Sequence, residues 1–85
     1  MKIHIVQGST GEYSDCVSWF VGAFFSEDKA QERVLKATER ANELGANGIG
    51  YSDIPDGANE FDPGMQVDYS GVRYEYSPVE ILDNP

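Results

Sequence analysis

The stretch from Ser26 to Gly45 constrains this chain most, because apolar residues recur there at helical spacing over several turns and both ends carry boundary signals. Ala30, Val34, Ala37, Ala41 and Leu44 follow one another at intervals of three and four residues and so share one face of a helix. Ser26 is a favoured N-cap, Glu27 and Asp28 complement the positive helix end, and Phe25 can staple against Ala30. Gly45 is placed to cap the C-terminus in the left-handed conformation. The spacing predicts a helix over roughly 27 to 44. Alanine at three of its five core positions predicts that it lies close to its support, with aromatic residues elsewhere supplying the volume.

The flanking segments read as strands. Ile3, Ile5 and Val6 open the chain with β-branched residues, and Gly8-Ser9-Thr10-Gly11 has the chemistry of a turn that stops them. Cys16 to Phe24 then alternates Val17, Trp19, Val21 and Ala23 with Ser18, Phe20, Gly22 and Phe24. A loop holding Glu12, Tyr13 and Asp15 joins the two strands, and Trp19 is expected in the core between sheet and helix. From Ala46 to Pro63 the periodicity is lost to Gly, Asn, Asp and Pro, the composition of a long surface loop, which Ile49, Tyr51, Ile54 and Phe61 are expected to pin. Val67, Tyr69, Val72, Tyr74 and Tyr76 alternate around Ser70-Gly71, giving either one bulged strand or a hairpin, and Pro78 ends it or marks a sheet edge.

Eighty-five residues suffice for one domain, residues 1–85, with one sheet and one helix. The predicted class is α+β in the order β-β-α-β. Three antiparallel strands lie in spatial order 2-1-3, with the helix on one face and the other face partly open. A fourth short strand enters if the last third is a hairpin. The connection across the helix is expected to be right-handed.

Fifteen acidic against six basic residues give a formal net charge of -9. Such a field repels nucleic acid and anionic membranes and attracts basic partners. Cys16 has no second cysteine to pair with, the opening residues lack the apolar run of a signal peptide, and no run of about 18 apolar residues occurs. Cytoplasmic residence is therefore expected, as a monomer or a small homo-oligomer.

The sequence offers little to catalysis. His4 is the lone histidine and falls in a strand, so neither Cys16 nor a serine has an evident base, and no Gly-x-x-x-x-Gly-Lys phosphate loop is present. The oxygen-rich Asp53 to Asp62 stretch departs from the spacing of a calcium loop, and His4 with Cys16 cannot complete a zinc site. No enzyme activity, metal or other cofactor is expected.

Charge is unevenly placed instead. Lys29, Arg33, Lys36 and Arg40 make a basic stripe on the helix, where Glu27, Asp28, Glu32, Glu39 and Glu43 balance it, in part through pairs such as Glu32-Lys36. After Gly45 the acids Asp53, Asp56, Glu60, Asp62, Asp68, Glu75, Glu80 and Asp83 meet only Arg73. Carboxylates displayed this way can imitate the phosphate rows of a nucleic acid and enter a Lys/Arg-lined groove. Tyr69, Tyr74 and Tyr76 would add rigid contact area. The expected partner-binding set is Asp53, Asp56, Glu60, Asp62, Asp68, Tyr69, Tyr74, Glu75, Tyr76 and Glu80.

The segments Gly8-Ser9-Thr10-Gly11-Glu12-Tyr13-Ser14-Asp15, Phe24 to Ala30, and Asp68-Tyr69-Ser70-Gly71-Val72-Arg73-Tyr74 resemble small phage-encoded accessory proteins. In size and charge the chain is similar to acidic anti-CRISPR proteins of the DNA-mimic type. The resemblance implies a mobile-element inhibitor of a basic host protein, a CRISPR effector subunit in the first instance, without direct nucleic-acid binding. The alternative is a phage structural or regulatory domain that makes its contacts through a sheet edge.

Overall fold

The computed structural model describes residues 2–12, 14, 16–46, 54, 57–67 and 70–82. Four elements follow in chain order: β1 (Lys2–Thr10), β2 (Val17–Phe24), α1 (Glu27–Glu43) and β3 (Val72–Glu80). The sheet has the order β2-β1-β3 with both pairings antiparallel, as the sequence predicts, and α1 packs on it.

Helix boundaries follow from local chemistry. The Ser26 hydroxyl accepts from the Lys29 amide, and Glu27 and Asp28 lie in the first turn. At the other end Gly45 takes a φ of 85°. There the Gly45 amide donates to the Asn42 carbonyl at 3.1 Å and the Ala46 amide to the Ala41 carbonyl at 2.8 Å, the paired bonds of a Schellman cap. The Ala46 carbonyl in turn accepts from the Val72 amide at 3.1 Å, so the helix end is tied to the start of β3. Ala30, Ala37 and Ala41 are buried against the sheet, which lets the helix approach closely.

The strands differ from the sequence reading in three ways. β1 runs through Gly8, Ser9 and Thr10 instead of turning there. Gly8 faces Trp19 across the strands, and a Cβ at Gly8 would lie 2.7 Å from the indole. The glycine is therefore a flat platform for a ring rather than a turn residue. Second, β2 carries a bulge: Val6 pairs with Gly22 but Gln7 pairs with Phe20, which leaves Val21 as the extra residue. A bulge exchanges the faces beyond it, so Val17 and Trp19 share the helix-side face with Gly22 and Phe24, not with Val21 and Ala23 as strict alternation predicts. Third, β3 is one strand that continues through Pro78 to Glu80, while Gln66 and Val67 precede it outside the sheet. Among the described residues no fourth strand forms. Among the described residues β3 pairs on one side, which is where a proline is tolerated within a sheet.

Of β1, His4, Val6, Gly8 and Thr10 are buried on the helix-side face. The opposite face stays partly open, with Phe20 65% and Val79 41% exposed beside half-buried Ile3 and Ile5. The fully enclosed apolar residues among those described are Val6 and four alanines. Polar bonds supplement them.

Candidate functional site

The largest set of side-chain bonds gathers around Asp62, which is only 1% exposed. Trp19 Nε1 donates to Asp62 Oδ2 at 2.9 Å and to Oδ1 at 3.2 Å, and the Tyr74 hydroxyl donates to Oδ2 at 2.6 Å. Three separated parts of the chain meet on this carboxylate. The Asp62 amide donates to the Asn59 carbonyl at 3.0 Å, and the Met65 amide to the Asp62 carbonyl at 3.0 Å, so the carboxylate sits on a wound turn. Asn59, fully buried, donates from Nδ2 to the Ala37 carbonyl at 3.2 Å and accepts from the Phe61 amide at 3.0 Å. The turn is thereby clamped to the helix on one side and to the sheet on the other.

Burial, followed by the hydrogen bond to Asp62 and the Asp62 charge, holds the Tyr74 hydroxyl far above the usual tyrosine range. The folded state keeps Tyr74 protonated where the unfolded chain ionises it near pH ~10. This contribution is present below that pH and is lost as pH rises past it. In an absorbance titration of tyrosinate, Tyr74 is expected to ionise only with unfolding. A Tyr74→Phe variant that loses no tyrosinate signal from the unfolding step would show that Tyr74 is not held by this bond.

The expected partner-binding residues fare unequally. Asp53, Asp56, Asp68 and Tyr69 lie outside the described residues. Asp62 is enclosed and bonded, so it cannot belong to a docking surface, because water has already been replaced around it by Trp19 and Tyr74. Glu60 is exposed, but Arg40 Nε meets its carboxylate at 3.2 Å while Arg40 Nη1 meets Glu43 at 3.0 Å. The helix thus neutralises an acid that the sequence places in the unopposed half. Tyr74 and Tyr76 are half-buried on the helix-side face, and the Tyr76 hydroxyl accepts from Gln31 Nε2 at 2.8 Å while its ring stands edge-on to His4 at 6.2 Å. They stabilise the fold instead of offering free contact area. Glu75 and Glu80 are exposed on β3.

The structure also brings together residues that sequence reasoning kept apart. The Arg33 guanidinium lies over the Phe24 ring at 5.4 Å and donates from Nη1 to the Phe61 carbonyl at 3.3 Å. Lys36 lies over the Phe61 ring at 5.7 Å and pairs with Glu32 at 2.7 Å, the i,i+4 pair that the spacing predicts. These residues with Lys29 line a shallow cleft of about 230 Å³ between the helix and the 58–65 turn. Helical spacing reveals the stripe, but nothing local reveals that Phe24 and Phe61 wall it.

No family model, curated protein or solved structure matches this chain.

Among the described residues no three His, Cys, Asp or Glu side chains lie close enough to hold a metal ion, and no helix is long and apolar enough to cross a membrane. Asp62, one of the oxygen donors in the acidic loop, is already committed to Trp19 and Tyr74. Thermal melts with a chelator and with added calcium are expected to coincide; an upward shift of several degrees with calcium would assign the ion to the Asp53 to Asp62 loop.

Proposed function

We propose that this chain is a non-enzymatic binding protein whose acidic surface docks into a Lys/Arg-lined groove of a nucleic-acid-handling protein and excludes nucleic acid from it. The observation that supports this reading is the segregation of charge. Four of the six basic residues stand on α1, and Arg73, the one on β3, spends a donor on the Gly11 carbonyl at 2.7 Å. Glu75 is exposed on the sheet face opposite the helix, and Glu80 is exposed at the end of the same strand. With the acids at 53, 56 and 68 they carry the excess that self-repulsion would otherwise disfavour. Association would be steered and fast at low salt and would weaken as salt rises.

The test is competition against nucleic acid bound by a basic effector, a CRISPR effector being the instance that the resemblance to phage proteins puts first. Asp53, Asp56, Glu75 and Glu80 changed together to Lys should abolish competition, whereas Lys29, Arg33 and Lys36 changed to Glu should not. Asp62 is left unaltered in that set because its change would act through the fold. Loss of competition only in the second set moves the site to the helix, and no competition by the parent removes this effector as the target.

A second reading rests on the open sheet face, where Phe20 and Val79 remain exposed and, among the described residues, β2 and β3 each pair on one side. It makes the chain a structural or regulatory interaction domain. Binding that is indifferent to salt and sensitive to Phe20→Ser would select this reading over the first.

A further inference from the structure

The cleft between α1 and the 58–65 turn stands out against the charge of the whole molecule. In a chain of net charge -9, Lys29, Arg33 and Lys36 converge on one small space in which Glu32 is the single carboxylate among the described residues. The adjoining groove along the same seam is different, because there Arg40 already meets both Glu43 and Glu60. Among the described residues one end of the seam carries more carboxylates than cations and the other holds a local excess of two positive charges.

We propose that this cleft binds a phosphate monoester group. Three features carry the assignment. The Arg33 guanidinium is fixed on one side by the Phe24 ring and by its bond to the Phe61 carbonyl, so its remaining N–H donors are pre-organised in a plane suited to two phosphate oxygens. Lys36 is held against the Phe61 ring, and Lys29 makes no side-chain bond or ion pair among the described residues, which leaves an ammonium ready for a third oxygen. The local charge matches a dianion, whereas a single carboxylate would leave one cation unopposed. The cleft is too small to enclose a large ligand, so the charged group enters and the rest of the molecule lies outside. At about 0.15 M salt the Debye length is ~8 Å, so charges beyond that range from the cleft are largely screened and the three lining cations are not.

The assignment is independent of the docking role proposed above, since it uses none of the same residues. Its test uses the full chain at neutral pH and about 0.15 M salt, following amide chemical shifts during titration with inorganic phosphate, phosphoserine, adenosine monophosphate, succinate and acetate. Saturable shifts at Lys29, Arg33, Lys36 and Phe61 are expected with the three phosphates. Tighter binding of the nucleotide would make it the source of the group, tighter binding of phosphoserine would make a phosphorylated side chain the source, and equal binding would mean recognition of the phosphate alone. Lys29→Gln, an exposed position without a structural bond, should weaken binding at least about tenfold, as should Arg33→Gln. Glu32→Gln should strengthen it by removing the internal competitor, and Arg40→Gln should leave it unchanged. Absence of saturable shifts, succinate or acetate binding as tightly as phosphate, or a Lys29→Gln variant that binds like the parent would each overturn the assignment.

Discussion

Trp19→Ala is expected to destabilise the protein by about 3–5 kcal/mol, which in a domain of this size removes most or all of its stability. The indole covers Gly8 at the centre of the sheet and its Nε1 holds the carboxylate of Asp62, so truncation opens a cavity and unpairs an acceptor at once. Trp19→Phe keeps most of the ring and loses only the N–H, so it should cost about 1–3 kcal/mol, the range for one unpaired buried group. Urea unfolding of the two variants separates the contributions. A Trp19→Ala variant as stable as the parent would mean that the ring lies over the sheet without supporting it.

The second large effect is expected at Asp62. Asp62→Ala leaves the Trp19 N–H and the Tyr74 O–H without their acceptor, at about 1–3 kcal/mol each. Exposed acids such as Glu75 should by contrast stay within about ±0.5 kcal/mol on truncation. A double-mutant cycle between Asp62→Ala and Trp19→Phe should show coupling on the order of 1 kcal/mol or more, because the two side chains are bonded directly. Additivity within error would mean that the carboxylate draws its support from Tyr74 alone. The result also bears on any functional scan, since a loss of binding in an Asp62 variant would report unfolding and not a missing contact.

What was legible in the sequence is what depends on neighbours in sequence. Ser26, Gly45 and the spacing of Ala30, Ala37 and Ala41 specify the helix within about a turn of itself. The strand order follows once three strands and a crossover are granted. The bulge at Val21 escaped strict alternation because one inserted residue leaves no compositional mark, and so Phe24, rather than Val21 and Ala23, joined Trp19 on the helix side. Gly8 reads as a turn residue until Trp19 is known to lie across it. The acidic segment after Gly45 was the least legible. Nothing near Asp62 announces that its partners stand 43 residues before it and 12 after it, or that Arg40 will reach Glu60. A carboxylate counted as surface from composition can equally be the centre of a buried network, and only long-range placement separates the two.

The position of β1 in the middle of the sheet sets the order in which the molecule can be completed on the ribosome. β1 leaves before β2 and β3, and its pairing with β2 closes a short loop, yet its other edge waits for Val72 to Glu80. Until β3 emerges, the central strand offers a row of unmatched backbone groups, and the indole of Trp19 lacks the Asp62–Tyr74 pair. Contacts of such wide sequence separation slow folding relative to a helical domain of equal length. Premature termination shortly before Val72 should therefore yield nascent chains that recruit chaperones or pair with one another, since everything needed to begin the sheet is present and nothing needed to close it.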